Sequence, residues 1–111
     1  MTAGLFRGDV WDVLFPQPVG ARPCVVLTTN ALITRLGAVT VAEITSTQGP
    51  SSTHIEVPPE AGLIGRPRSW VNVTGLHTVP KGKLRRRRGR LDPTELAHVA
   101  TAVRDYLDLD D

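Results

Sequence analysis

Seven cations and no acid stand within ten residues: Lys81, Lys83, Arg85, Arg86, Arg87, Arg88 and Arg90. Charge of that density is a footprint for a polyanion. The cations repel one another until phosphates neutralise them, and each phosphate contact releases counterions and makes binding salt-sensitive. The formal net charge of +2 conceals the asymmetry. Residues 1–80 carry five cations against five acids, and residues 91–111 carry Arg104 against six acids. The competing reading is a solvated arginine-rich loop balanced by the acidic tail.

Other residues able to do chemistry are sparse. Arg22 comes just before an apolar run, and Thr45-Ser46-Thr47 closes another. Each is ordinary on its own, since threonine at a strand end follows from β-propensity. His54, His77 and His98 show no metal-ligand spacing, and one cysteine excludes both a four-cysteine zinc site and an intrachain disulfide, so neither metal nor cofactor is expected. A Gly-x-x-x-x-Gly-Lys-Ser phosphate loop, a dinucleotide fingerprint and a serine nucleophile elbow are all missing. Cys24 lies inside an apolar run, the usual setting of a buried, inert thiol.

The elements that must position these residues read as short strands followed by one helix. The 111 residues suit one compact domain spanning 1–111. Mean hydropathy is −0.07 and no apolar run approaches the roughly 20 residues of a membrane span, which points to a soluble chain without membrane contact. The first residues do not resemble a signal peptide, so a cytoplasmic protein is expected. Strands are expected over residues 7–14, 24–29, 38–45, 53–57 and 69–73, with a short run at 76–79 and loops over 15–20 and 58–67. The period then turns helical. Asp92 is an N-cap candidate, Pro93 suits the first helical position, and Glu95 completes a capping box. Leu91 and Leu96 occupy hydrophobic-staple positions, and Leu96, Val99, Ala100, Val103, Tyr106 and Leu107 recur at helical steps. Strands then a helix argue for a mainly β fold, a small barrel with a packed C-terminal helix.

The order of the motifs sharpens this. Arg7-Gly8-Asp9-Val10-Trp11, then Arg22-Pro23-Cys24-Val25-Val26-Leu27 with Asn30 after it, resemble the opening of the MazF/PemK toxin family. Val41-Ala42-Glu43-Ile44-Thr45-Ser46-Thr47 is similar to the family's strand ending in Ile-Thr, and His54-Ile55-Glu56-Val57 to its next strand. Residues 81–91 followed by Asp92-Pro93-Thr94-Glu95-Leu96 resemble its lead-in to the last helix. The resemblance covers about residues 7–109. It implies an SH3-like small barrel of the CcdB/MazF-like toxin fold, a cytoplasmic homodimer and a cognate antitoxin, with DNA bound together with that antitoxin. It also implies a metal-independent endoribonuclease that cuts single-stranded RNA to a cyclic phosphate and a 5′-hydroxyl, inhibiting translation and growth.

Carried over by position, the family's catalytic Arg falls on Arg22 and its catalytic Thr on Thr45. RNA contacts are expected from Ser46, Thr47, His77, Lys81, Lys83, Arg85, Arg86, Arg87 and Arg88. The types suit the chemistry, because RNA brings its own nucleophile and the site need only position and stabilise the phosphate. Two departures stand out. The first loop is short, with Gln17 roughly where the family has a Glu. Gly75-Leu76-His77 replaces the usual Gln-[Ile/Val]-[Arg/Lys], leaving His77 as an alternative acid or base. Two other readings are a toxin of this fold that poisons a protein such as gyrase, and an RNA-binding barrel without chemistry.

Overall fold

The computed structural model describes residues 4–109; two of the six acids of the C-terminal segment, Asp110 and Asp111, lie outside them. Six strands form in chain order: β1 (Asp9–Leu14), β2 (Ala21–Val26), β3 (Ala38–Thr45), β4 (His54–Val57), β5 (Ser69–Pro80) and β6 (Leu84–Arg90). A four-residue helix α1 (Asn30–Ile33) follows β2, and α2 (Pro93–Tyr106) closes the chain. Single 3-10 turns stand at Pro59–Ala61 and Lys81–Lys83.

The strands make one antiparallel sheet in the order β4-β5-β3-β2-β1-β6. Alternation of side chains gives each of its faces a core. Val10, Val25, Ala42, Ile44, Val71 and Val73 face the helix side, where Leu91, Val99 and Ala102 cover them. Val13, Cys24, Val26, Val39, Val41, Val79 and Leu84 gather on the other side with Leu5 and Ile33. Val79 and Leu84 belong to strands far apart in the sheet order, so their meeting in one cluster requires the sheet to curl into the small barrel expected from the sequence.

Several boundaries differ from the sequence reading. β2 begins at Ala21 and ends at Val26, three residues earlier than the apolar run suggests, because its pairing with β1 extends to Leu14↔Ala21. Arg22 therefore lies within the strand. Residues 69–73 and 76–79 are one twelve-residue strand, interrupted only by a register shift opposite Ala42 and Glu43. The basic run is no loop. Residues 84–90 are β6, whose continuous charge hides any alternation of polarity. Short α1 has no clear sequence signal.

β6 is an edge strand, and its cations discourage pairing with another chain. It is fastened by two bulges opposite β1, between Val10 and Trp11 and between Asp12 and Val13. At the first of them Arg88 donates to both carboxylate oxygens of Asp12 at 3.3 and 3.2 Å and to the Gly62 carbonyl at 3.0 Å. Arg87 reaches buried Asp9 at 3.3 Å. Gly62 and Gly89 make this approach feasible: a Cβ on Gly89 would stand 2.4 Å from the Ala61 carbonyl oxygen, and one on Gly62 equally close to that of Arg88.

α2 begins as its sequence implies. The Asp92 carboxylate accepts from the Glu95 N–H at 2.8 Å, and Glu95 accepts from the Asp92 N–H at 2.8 Å. Leu91 is buried and Leu96 packs on the same cluster. The helical stripe is shorter than expected, however. Ala102 is buried while Tyr106 and Leu107 are exposed, because the helix outruns the sheet beneath it. Replacing the cap in Asp92→Ala should cost about 1 kcal/mol, read as a Tm lowered by about 4 °C. Gly89→Ala should cost on the order of 3 kcal/mol because backbone, not a flexible side chain, blocks the new methyl group; denaturant unfolding checks both.

Candidate active site

The register of the two central strands brings the first candidates together. β2 pairs with β3 as Cys24↔Glu43, Val25↔Ala42 and Val26↔Val41. Two further steps of this register place Arg22 across from Thr45, on the same face. Pro23, which has no N–H to donate, stands where the pairing stops, so the strands are released from one another just at Arg22. Arg22 is exposed, and its guanidinium has no hydrogen-bond or ion-pair partner among the described residues. The Thr45 hydroxyl accepts from the Thr47 N–H at 3.0 Å. Its own proton remains free to donate outward. Ser46 and Thr47 follow in the exposed turn.

The same row continues to Trp70 and Glu56, through Thr45↔Trp70 and Glu56↔Trp70. Arg68 lies 5.0 Å from the Trp70 ring centroid and grips Glu56 through Nε and Nη2 at 2.8 and 2.9 Å. These bonds hold the Glu56 carboxyl below its ordinary range and raise the Arg68 guanidinium. Two residues from Thr45 along β3, Glu43 accepts from His77 Nε2 at 2.6 Å, and the Phe15 ring lies 4.9 Å from that of His77. Cys24 lies beneath this face, fully buried. Its burial, with the negative charges of Glu43 and Asp12 adding to it, pushes its thiol up to about 12 and keeps it protonated and inert.

The basic run divides in two. Arg87 and Arg88 are turned to Asp9 and Asp12 and hold β6 in place. Lys81, Lys83, Arg85, Arg86 and Arg90 have no such partner among the described residues. The remaining histidines lie elsewhere. His54 bonds Thr53 Oγ1 through Nδ1 at 2.8 Å, and His98 is exposed on α2. Among the described residues, no three His, Cys, Asp or Glu side chains converge as a metal site would require. No helix among them is long and apolar enough to cross a membrane. Sequence reasoning passed over Glu43 and Phe15. The alternation that placed Glu43 on one face of its strand was readable, but the register bringing His77 to it was not.

The two motifs of the chain's start also meet. The Arg7 N–H donates to Asn30 Oδ1 at 2.7 Å, and the Arg7 guanidinium bonds the Leu27 carbonyl. They brace the turn after β2, which leaves Arg22 at the strand's opposite end unencumbered.

A model described as PemK-like, MazF-like toxin of type II toxin–antitoxin system matches residues 6–107. A probable endoribonuclease MazF5 of Mycobacterium tuberculosis is 34% identical over 108 residues, covering 97% of each chain. A probable endoribonuclease MazF2 of the same species is 32% identical over 98 residues, covering 88% of this chain and 93% of that one. Among solved structures, the M. tuberculosis toxin MazF-mt6 superposes with a TM-score of 0.82 at 29% identity, over 93% of this chain and 99% of that one. A mycobacterial endoribonuclease in complex with its cognate antitoxin gives 0.84 at 23% identity, over 96% and 98%, a likeness of fold. The barrel and C-terminal helix are thus those of the CcdB/MazF-like fold. Matched along almost all of its length, the chain belongs to the PemK-like, MazF-like toxins of type II toxin–antitoxin systems.

Proposed function

We propose that this toxin is an endoribonuclease that cuts single-stranded regions of RNA without a metal ion, leaving a 2′,3′-cyclic phosphate and a 5′-hydroxyl. The observation that carries the reading is the exposed, partnerless Arg22 guanidinium at the end of β2, which the β2–β3 register, carried two residues past its last pair, sets on the side of Thr45. The ribose 2′-oxygen attacks phosphorus as the bond to the 5′-oxygen breaks, so the protein supplies position and charge. A planar guanidinium takes two phosphate oxygens at once and stays charged at neutral pH. Arg22 holds the phosphate in this way and gives a proton to the departing 5′-oxygen, which it regains from water. The Thr45 hydroxyl donates to the same phosphate.

Ser46 and Thr47 lie beside that phosphate, in the exposed turn after Thr45. Lys81, Lys83, Arg85 and Arg86 hold the strand on either side of the cut through its backbone, whatever its sequence. The relatives' names and the antitoxin complex of a structural neighbour support the same assignment. In this reading the chain works in the cytoplasm as a homodimer, is silenced by a cognate antitoxin, and arrests growth by destroying RNA needed for translation. Arg87 and Arg88 reach RNA only through what their bonds to Asp9 and Asp12 leave exposed, since they also hold the edge strand.

The test is cleavage of total cellular RNA in excess chelator, with the product ends mapped. Wild-type protein should leave 5′-hydroxyl ends. Arg22→Ala should lose about 10³-fold in rate, and Arg22→Lys should recover little, because an ammonium lacks the planar fork. Intact RNA after incubation with folded wild-type protein would refute the proposal for those RNAs. Separately, replacing both Arg85 and Arg86 with Ala should weaken binding and reduce the slope of log K against log salt by about 1.4. Arg88→Ala should instead lower the unfolding midpoint, because it leaves the Asp12 carboxylate and the Gly62 carbonyl unpaired.

A further inference from the structure

Arg22 and Thr45 leave one proton unassigned: the one that must leave the 2′-hydroxyl as it attacks. A guanidinium is already fully protonated at neutral pH and has no lone pair with which to accept it. Two half-exposed groups on the same face are built for the task. Glu43 stands two residues before Thr45 on β3 and shares its face, and across β2 it is paired with Cys24, two residues from Arg22. His77 comes from β5, where Val41↔His77 puts it on that face as well. Its Nε2 lies 2.6 Å from Glu43 Oε2.

Three features hold the pair in shape. First, the carboxylate accepts a hydrogen bond from Nε2–H, which fixes the tautomer and leaves the lone pair on Nδ1, an atom without a partner among the described residues. Second, the Phe15 ring packs against the imidazole at 4.9 Å and 58°. Phe15 leaves β1 just past the Val13↔Arg22 and Leu14↔Ala21 pairs, so the strand that pairs with Arg22 also delivers the ring that packs on His77. Third, Gly75 occupies the register shift of β5 beside Glu43, where a Cβ would stand 3.0 Å from Glu43 Oε2. A larger residue there would crowd the carboxylate off its line to His77.

We propose that His77 is the general base of this toxin and that Glu43 positions it; the proposal rests on the ribonuclease reading above. His77 Nδ1 takes the 2′-hydroxyl proton. The electron pair of that O–H bond becomes the new bond from the 2′-oxygen to phosphorus. The pair of the phosphorus–5′-oxygen bond departs with the 5′-oxygen, which takes its proton from Arg22. Glu43 steadies the imidazolium until it returns its proton to water. The dyad answers the lack of a carboxylate in the short first loop, where Gln17 can accept no proton at neutral pH.

The experiment uses full-length protein and an oligoribonucleotide spanning a cut that wild type makes in total RNA. Under single-turnover conditions His77→Gln should lose about 100-fold in rate. Its affinity for the same oligonucleotide with a 2′-deoxy residue at the cut should be unchanged, which also reports that the variant is folded. Glu43→Gln should lose about tenfold, and should cost nothing further when added to His77→Gln, because it acts through that ring. A substrate with sulfur in place of the bridging 5′-oxygen needs no proton on its leaving group. The His77→Gln deficit should persist on it. Disappearance of the deficit there would make His77 an acid and overturn the proposal, as would a variant within threefold of wild type. If wild type cuts no RNA, the ribonuclease reading itself fails; if wild type cuts and His77→Gln matches it, only the dyad fails.

Discussion

The pairing register of β2 with β3 is the constraint on which everything at the site depends. A slip of one residue would turn Arg22 or Thr45 through the sheet to the helix side and exchange Val25 or Ala42 with the side chains of the opposite core. The slip is forbidden by the cores. Val25, Ala42 and Ile44 are buried beneath α2, while Cys24, Val26 and Val41 are buried in the curl of the barrel. Both faces of these central strands are therefore committed. Burial on the two faces specifies register more tightly than one buried face could, and the polar residues at the strand ends inherit that precision without contributing to it.

Charge on the outer strand does two jobs, and geometry separates them. Asp9 is buried and Asp12 largely so, and a carboxylate withdrawn from water needs a partner. Arg87 and Arg88 fill that need, and the bulge opposite Val10 and Trp11 is what turns Arg88 inward toward Asp12 and Gly62. The cations left facing solvent keep their full charge for long-range attraction of a polyanion. A uniformly basic face would bind any nucleic acid. Here the acids beneath it draw two cations into the fold and leave the remainder on one flank of the sheet.

Much of this was legible beforehand, for identifiable reasons. β3 and the start of α2 are specified locally, by a run of β-favouring residues bounded by turns and by an Asp92–Glu95 capping box, so their limits read correctly from the chain alone. Arg22 and Thr45 could be singled out by position, but their catalytic roles came only through the resemblance, since neither residue announces itself by type. What escaped depends on partners distant in sequence. The start of β2 is decided by β1, the continuity of β5 by β3, and strand β6 by acids some 76 and 78 residues away. The Glu43–His77 contact spans 34 residues and a register shift. No local pattern encodes either.

Glu43 is an odd residue to find where a phosphate is to be held, and the resolution lies in spacing. Its charge reaches Cys24 below it, where it adds to the effect of burial on the thiol. An isolated carboxylate there would repel the substrate. Arg22 stands on the neighbouring strand, displaced by one step on the same face, and offers the phosphate a charge that the carboxylate does not cancel. The Glu43 carboxylate is bonded to the imidazole of His77, so its negative charge is shared with a ring that can carry a proton. Cation and carboxylate thus divide the face as diagonal neighbours on adjacent strands, about 7–8 Å apart. In the proposed mechanism this division lets Arg22 hold the phosphate group while Glu43, through His77, serves the proton of the adjoining ribose.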